Sequence, residues 1–264
     1  MKRYATSAEL KRAAKDQLFG KLGTVIGAFI VHMLVYLPVI YASTYFPIDT
    51  PLWLALSFLL DIVISLYGGI LAYGSDFLFL KVATGDDIAV TDLFYGFKND
   101  TAKVLALKVI PIVITTVAQV PYFLMTKTML ALMPDMNSMM QMIYSGQIDE
   151  VEAMSEKLMP VMLLYLLVFF LYIIVLIVVN VLFSQTLFTA LDYPNLGVKE
   201  TFKKSFKLIK GNWGKYIYIM LSFIPWYVLG LFTFYTGLAW AIPYMRTTMA
   251  NFYLDLVKNK SEEN

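Results

Sequence analysis

The sequence contains no cysteine and a single histidine, His32. The first absence excludes a disulfide, a thiolate metal site and a cysteine nucleophile. The two together exclude a zinc site built from His and Cys on this chain. Charge is sparse: 15% of residues are Asp, Glu, Lys or Arg, against about 25% in soluble domains. Catalytic signatures are missing as well. There is no GxSxG elbow, no GxxxxGK[ST] loop, no HExxH pair and no His partner for a nucleophilic triad. The expectation is a protein that is not an enzyme and uses no cofactor.

What is abundant is apolar and aromatic surface. Of 264 residues, 59% are hydrophobic, with 19 Phe, 18 Tyr and 4 Trp, and mean hydropathy is +0.67. A globule of this length has no interior large enough to hide that much apolar area. An ordinary soluble domain, a disordered tail and a nucleic-acid-binding module are thereby excluded. A net charge of +2 implies no bulk polyanion as partner. The fold class expected is all-α: a polytopic helical bundle in a membrane.

A crossing needs about 20 mostly apolar residues. Six stretches qualify, at about 22–45, 52–80, 104–125, 161–188, 216–234 and 238–257. The first two are joined by the turn at Phe46-Pro47-Ile48-Asp49-Thr50, and the last two are split only by Tyr235-Thr236-Gly237. Residues 1–21 form a basic amphipathic N-terminal segment without the pattern of a cleaved signal peptide, and 258–264 a polar tail. With six crossings, all Lys and Arg except Lys127 and Lys157 fall on one side, while Asp49, Asp135, Asp149, Glu150, Glu152 and Glu156 fall on the other. The positive-inside rule then places both termini in the cytoplasm.

The connections carry two amphipathic candidates. In residues 4–20, Thr6 and Glu9 fit a capping box, and Leu10, Ala13, Ala14 and Leu18 share a stripe. The basic side suits an anionic inner leaflet, or serves only as a topology signal. In the loop at 196–215, Val198, Phe202, Phe206 and Ile209 recur at helical spacing and end in Trp213. Lys199, Lys203, Lys204, Lys207 and Lys210 take the remaining faces, each worth about 1 kcal/mol near an anionic membrane. These lysines with Trp213 are the candidate lipid-headgroup residues; packing against neighbouring spans is the plainer reading. The stretch Val90-Thr91-Asp92-Leu93-Phe94 resembles Val198-Lys199-Glu200-Thr201-Phe202, so spans two and three read as a parallel repeat of spans four and five. The Met-rich outer connection from Thr126 to Pro160 lacks His and Cys and reads as packing surface rather than a Cu(I) site.

Ionisable groups inside the spans are costly, roughly 2.5–3.5 kcal/mol each at the bilayer centre. His32 lies about 15 Å into the first span and Asp61 about 14 Å into the second, at ~1.5 Å per residue, so a His32–Asp61 hydrogen bond is reasonable. Arg246 reaches a similar depth in the sixth span and competes for Asp61. Along the second span Asp61, Ser65, Gly68, Ala72 and Asp76 share a small, polar face, with Asp76 expected to be solvated near the cytoplasmic end. The three intramembrane candidates His32, Asp61 and Arg246 read either as a relay or as buried pairing that fixes helix register. Pro38, Pro111, Pro225 and Pro243 permit kinks within spans.

Several stretches together resemble a known family. They are Ala190-Leu191-Asp192-Tyr193-Pro194-Asn195-Leu196-Gly197, then Ser222-Phe223-Ile224-Pro225-Trp226-Tyr227-Val228-Leu229-Gly230, then Ile242-Pro243-Tyr244-Met245 and Phe252-Tyr253-Leu254-Asp255-Leu256. Leu10-Lys11 and Phe94-Tyr95-Gly96-Phe97 fit the same pattern. The family is one of bacterial integral membrane proteins catalogued as domain of unknown function 975. The resemblance implies a multi-span protein of the bacterial plasma membrane and supplies no activity or site residues. A looser similarity to the membrane domain fused to some glycerophosphodiester phosphodiesterases leans towards lipid or envelope processes. Two functions are expected from the whole sequence. One is a non-enzymatic membrane component that binds anionic lipid or a membrane protein partner. The alternative is a secondary transporter or channel for a small solute or proton, using the polar face of the second span.

Overall fold

A computed structural model describes residues 4–44, 50–133, 135–146 and 148–261, and these are mainly helical. Lys2 and Arg3, most of the turn at 46–50 and the end of the tail lie outside the described residues. Among the described residues, five helical stretches are long and apolar enough to cross a bilayer: Leu22–Val39, Pro51–Thr84, Thr101–Leu132, Met154–Asp192 and Trp213–Phe232. That is the pattern of a multi-pass membrane protein.

In chain order the helices are α1 (Ser7–Leu18), α2 (Leu22–Thr44), α3 (Pro51–Thr84), a 3₁₀ turn at Val90–Phe94, α4 (Tyr95–Lys98), α5 (Thr101–Leu132), α6 (Met136–Tyr144) and α7 (Ile148–Phe183). They continue as α8 (Thr186–Asp192), α9 (Val198–Ile209), α10 (Trp213–Leu221), α11 (Ile224–Phe232) and α12 (Leu238–Ser261). The expected fifth span is therefore two helices, broken at Ser222–Phe223, with Pro225 in the first turn of α11. Proline is at home there because its missing N–H would be unpaired anyway. The expected sixth span is one helix, α12, but it is not among the five apolar enough to qualify. Arg246, Asp255 and Lys258 lower its apolarity.

The chain forms two compact units. Residues 113–180 make up one, containing most of α5, all of α6 and most of α7. Within it Tyr122 stacks on Tyr172, ring centroids 5.6 Å apart, and its hydroxyl is hydrogen-bonded to that of Tyr165 at 3.0 Å. Asp135 begins α6: Ser138 Oγ donates to its carboxylate at 2.7 Å, and the backbone N–H groups of Asn137 and Ser138 donate at 3.0 Å.

Residues 1–112 and 181–264 form the other unit and hold both candidate sites. Its core brings the two ends of the chain together. Leu10, Ala14 and Leu18 of α1 are buried in the same cluster as Ala250, Phe252, Tyr253 and Leu256 of α12. The apolar stripe of α1 is thus spent on protein. Thr6 and Glu9 form the capping box at its start. Ala5 N donates to Asp255 Oδ1 at 3.1 Å, and Asn251 Nδ2 to Gln17 Oε1 at 2.7 Å. Lys11 lies 4.5 Å over the Phe223 ring and donates to Ser222 O at 3.3 Å; partial burial pushes its ammonium pKa down.

Two glycines let the segment at 90–98 lie directly on α3. A Cβ on Gly74 would sit 1.8 Å from Leu93 O, and one on Gly96 2.6 Å from Ile70 O. Nothing but glycine fits such backbone contact. The segment opens as α9 does: Asp92 accepts from Ala89 N at 2.9 Å, and Glu200 from Gly197 N at 3.0 Å.

Candidate functional site

The lysine-rich segment folds as a helix with two unlike faces. Thr201, Phe202, Ser205, Leu208 and Ile209 of α9 are buried. They pack by specific contacts: Phe202 meets Phe183 edge-on at 5.6 Å, and the hydroxyls of Ser205 and Thr186 are 3.1 Å apart. Most of the apolar face read from the sequence therefore packs on protein, while Phe206 and Trp213 stay exposed.

On the opposite side Lys203, Lys204 and Lys207 line a cleft of about 380 Å³. Its other walls are Tyr193 and Leu196 before α9, and Val257, Lys260 and Ser261 at the end of α12. Lys204 Nζ is 3.0 Å from the centroid of the Tyr193 ring, a cation–π contact that fixes one ammonium at the rim. Lys260 donates to the carbonyls of Lys207 and, at 3.1 Å, Lys210. A lysine there satisfies the last carbonyls of α9 and complements its dipole. Glu200 is engaged at the helix start through Gly197 N. Four lysines and one carboxylate, that of Glu200, thus line one cleft, a surplus of positive charge. Lys199 and Lys210 are exposed outside this lining, as is Trp213.

The stretch Ala190–Gly197 supplies Tyr193 and Leu196 to the wall of this cleft. Asp192 accepts from Tyr253 Oη at 2.8 Å, and Phe188 stacks on the Tyr253 ring at 5.3 Å. Lys103 donates to the carbonyls of Pro194 at 2.8 Å and Tyr193 at 3.4 Å. Asp255 holds Lys215 at 2.9 Å. Two residues of the sequence pattern, Asp192 and Tyr253, therefore fasten α8 to α12, and a third, Tyr193, meets Lys204 of α9. Lys260 escaped the sequence reading because it is 50 to 53 positions from its partners and reads as tail.

A second cavity, about 280 Å³, lies among α2, α3, α11 and α12. His32 and Arg246 both line it; Asp61 is not part of its lining. Arg246 Nη1 instead bridges to Asp76 Oδ1 at 3.4 Å. Asp76, expected to be solvated, is buried at 6% exposure. It stands 15 residues beyond Asp61, about 22 Å along the helix at ~1.5 Å per residue. Lys108 interacts electrostatically with both Asp76 and Arg246. Its stem crosses Gly69, where an added Cβ would meet Lys108 Cγ at 2.8 Å. On the small face of α3, Gly68 receives the Tyr36 ring, which would stand 2.9 Å from an added Cβ, while Ser65 is exposed.

No curated protein and no solved structure matches the chain. A family does, described as "Protein of unknown function (DUF975)", over residues 1–260. Covering nearly the whole chain, and both the cleft and the cavity, that match shows that the protein belongs to the DUF975 family.

Proposed function

We propose that the protein is a non-enzymatic component of the bacterial plasma membrane that binds anionic lipid headgroups from the cytoplasmic side. The site is the cleft between α9 and the end of α12. The observation that carries this reading is the convergence of Lys203, Lys204, Lys207 and Lys260 on one cleft walled by Tyr193. Each lysine near an anionic surface contributes about 1 kcal/mol before screening; Lys204 is held over Tyr193 and Lys260 on the last carbonyls of α9.

Six crossings with both termini in the cytoplasm fit this reading, and parity supports them. Ala5 is hydrogen-bonded to Asp255, so the two ends of the chain lie at one level. Five crossings would separate them; a sixth, by α12, returns the chain to its starting side. At 24 residues α12 is about 36 Å long, and Arg246 need not enter the bilayer unpaired because it reaches Asp76.

The transport reading relies on a polar path at Asp61. The cavity instead is lined by His32 and Arg246 among mainly apolar side chains, and Asp61 is not in that lining. Replacing Lys203, Lys204 and Lys207 together by Glu tests the headgroup site. In nanodiscs of mixed composition, the enrichment of anionic over zwitterionic lipid around the protein should fall at least tenfold. Unchanged enrichment would remove the site.

A further inference from the structure

We propose that the cavity among α2, α3, α11 and α12 is a second, separate site, which binds a single-chain anionic amphiphile with its headgroup on Arg246.

Charge comes first. The pair at its edge is Arg246 and the carboxylate of Asp76, joined through one guanidinium nitrogen at 3.4 Å. A guanidinium within a membrane-spanning helix has further N–H donors that call for an acceptor. Asp76 is buried on one side of the guanidinium, whereas Arg246 keeps 38% of its side chain exposed and lines the cavity. The guanidinium is therefore reachable from the cavity, and an anion bound there would complete its set of acceptors.

Shape and lining give the rest. Val25, Ala28, Phe29, His32 and Met33 of α2 line the cavity at i, i+3, i+4, i+7 and i+8, one continuous stripe. Apart from His32 that stripe is apolar, and Leu78 and Phe79 of α3 extend it. Ser75, His32 and Tyr227 stand with Arg246 as the polar groups of the lining, the Tyr227 hydroxyl donating to Met245 Sδ at 2.9 Å. A guanidinium beside an apolar stripe suits an anionic amphiphile. At about 280 Å³ the space is just below the ~300–1,000 Å³ of usual ligand pockets, enough for a headgroup and part of one chain. A carboxylate or a phosphate monoester would satisfy Arg246 equally through paired N–H donors. The ligand class is therefore a fatty carboxylate or a monoacyl phosphate.

The test is photo-crosslinking of the full chain in nanodiscs with a diazirine-bearing fatty acid, the labelled peptides being read by mass spectrometry. Label is expected on α2 around Phe29 and Met33 and on α12 around Ile242, and should fall at least tenfold in Arg246→Gln. Arg246→Lys keeps the charge and should restore at least a third of it. Because Arg246 also bridges Asp76, Met33→Trp provides a variant that fills the cavity and leaves the pair alone; it too should lose the label. A diazirine fatty alcohol should label these peptides at least tenfold less than the acid. Displacement by oleate assigns a carboxylate ligand, and displacement by lysophosphatidate a phosphate. Failure of both to displace, equal labelling by acid and alcohol, or full labelling of Met33→Trp would overturn the proposal. Charge reversal of Lys203, Lys204 and Lys207 should leave this labelling unchanged, which separates its failure from that of the headgroup cleft.

Discussion

Asp76 and Arg246, 170 positions apart in sequence, meet at 3.4 Å between α3 and α12. The pair ties the second apolar helix to the last helix of the chain, and its members are not equivalent. Asp76 is buried, Arg246 is partly exposed, and Lys108 acts on both.

Removing the acid should therefore cost more than removing the base. Asp76→Ala leaves Arg246 and Lys108 without the carboxylate that acts on both, whereas Arg246→Ala leaves Asp76 with Lys108. Breaking a fully buried pair costs about 3–5 kcal/mol; with Arg246 more than a third exposed, about 1–3 kcal/mol is expected for Asp76→Ala, and less for Arg246→Ala. Thermal unfolding of both single variants and the double variant in one detergent measures this. Equal losses that simply add would show that the pair has no coupling.

Gly74→Ala should be far more damaging than its chemistry suggests. The added methyl would lie 1.8 Å from the Leu93 carbonyl, and backbone cannot move aside as a side chain can. Overpacking costs about 1–3 kcal/mol and occasionally more; the upper end is expected here, with the segment at 90–98 displaced from α3. Gly23, with nothing within 4 Å of an added Cβ, is the control. Gly23→Ala should be neutral or stabilising by up to about 1 kcal/mol. Melting temperatures of the two variants decide it.

The lack of cysteine makes topology directly measurable, since a single introduced thiol is the only one present. In intact cells Ser7→Cys and Ser261→Cys should both resist a membrane-impermeant maleimide, and Ser145→Cys should react. Labelling of Ser261→Cys from outside, with Ser7→Cys protected, would mean five crossings.

The carboxyl of Asp135 is held below the usual carboxylate range, first by the hydroxyl and backbone N–H of Ser138. A depressed pKa contributes stability that is complete above the unfolded value, about 3.9 for Asp. It is lost as pH falls through the lower folded value. The start of α6 should therefore loosen only below about pH 4, seen as faster hydrogen exchange at 136–144 after correction for intrinsic rate. Asp135→Asn should abolish that pH dependence; an unchanged dependence would show that another group is responsible.

Much of this fold was legible because membrane-crossing helices announce themselves by apolarity. Four of the spans overlap long apolar helical stretches close to the expected positions. Hydropathy does not register hydrogen bonding, so the break at Ser222–Phe223 inside an apolar run left no trace. It also under-reads α12, whose charges are paired by residues far away in sequence. The site followed the same logic. Lys203, Lys204 and Lys207 are neighbours on one helix, so their shared face could be read from spacing. Lys260 and Asp76 could not, because each gets its role from a tertiary partner. The stripe of Leu10, Ala14 and Leu18 was visible, but whether it faces lipid or protein depends on α12.

Lipid recognition at the α9 cleft is tested most directly by purification from the native membrane in mild detergent, with mass spectrometry of everything retained. The wild type and the variant with Lys203, Lys204 and Lys207 changed to Glu would be compared. The expected result is an anionic lipid enriched over its share of the membrane with the wild type and at its bulk share with the variant. Anionic lipid at its bulk share with both proteins, or a stoichiometric protein partner retained by the wild type and lost from the variant, would contradict lipid binding.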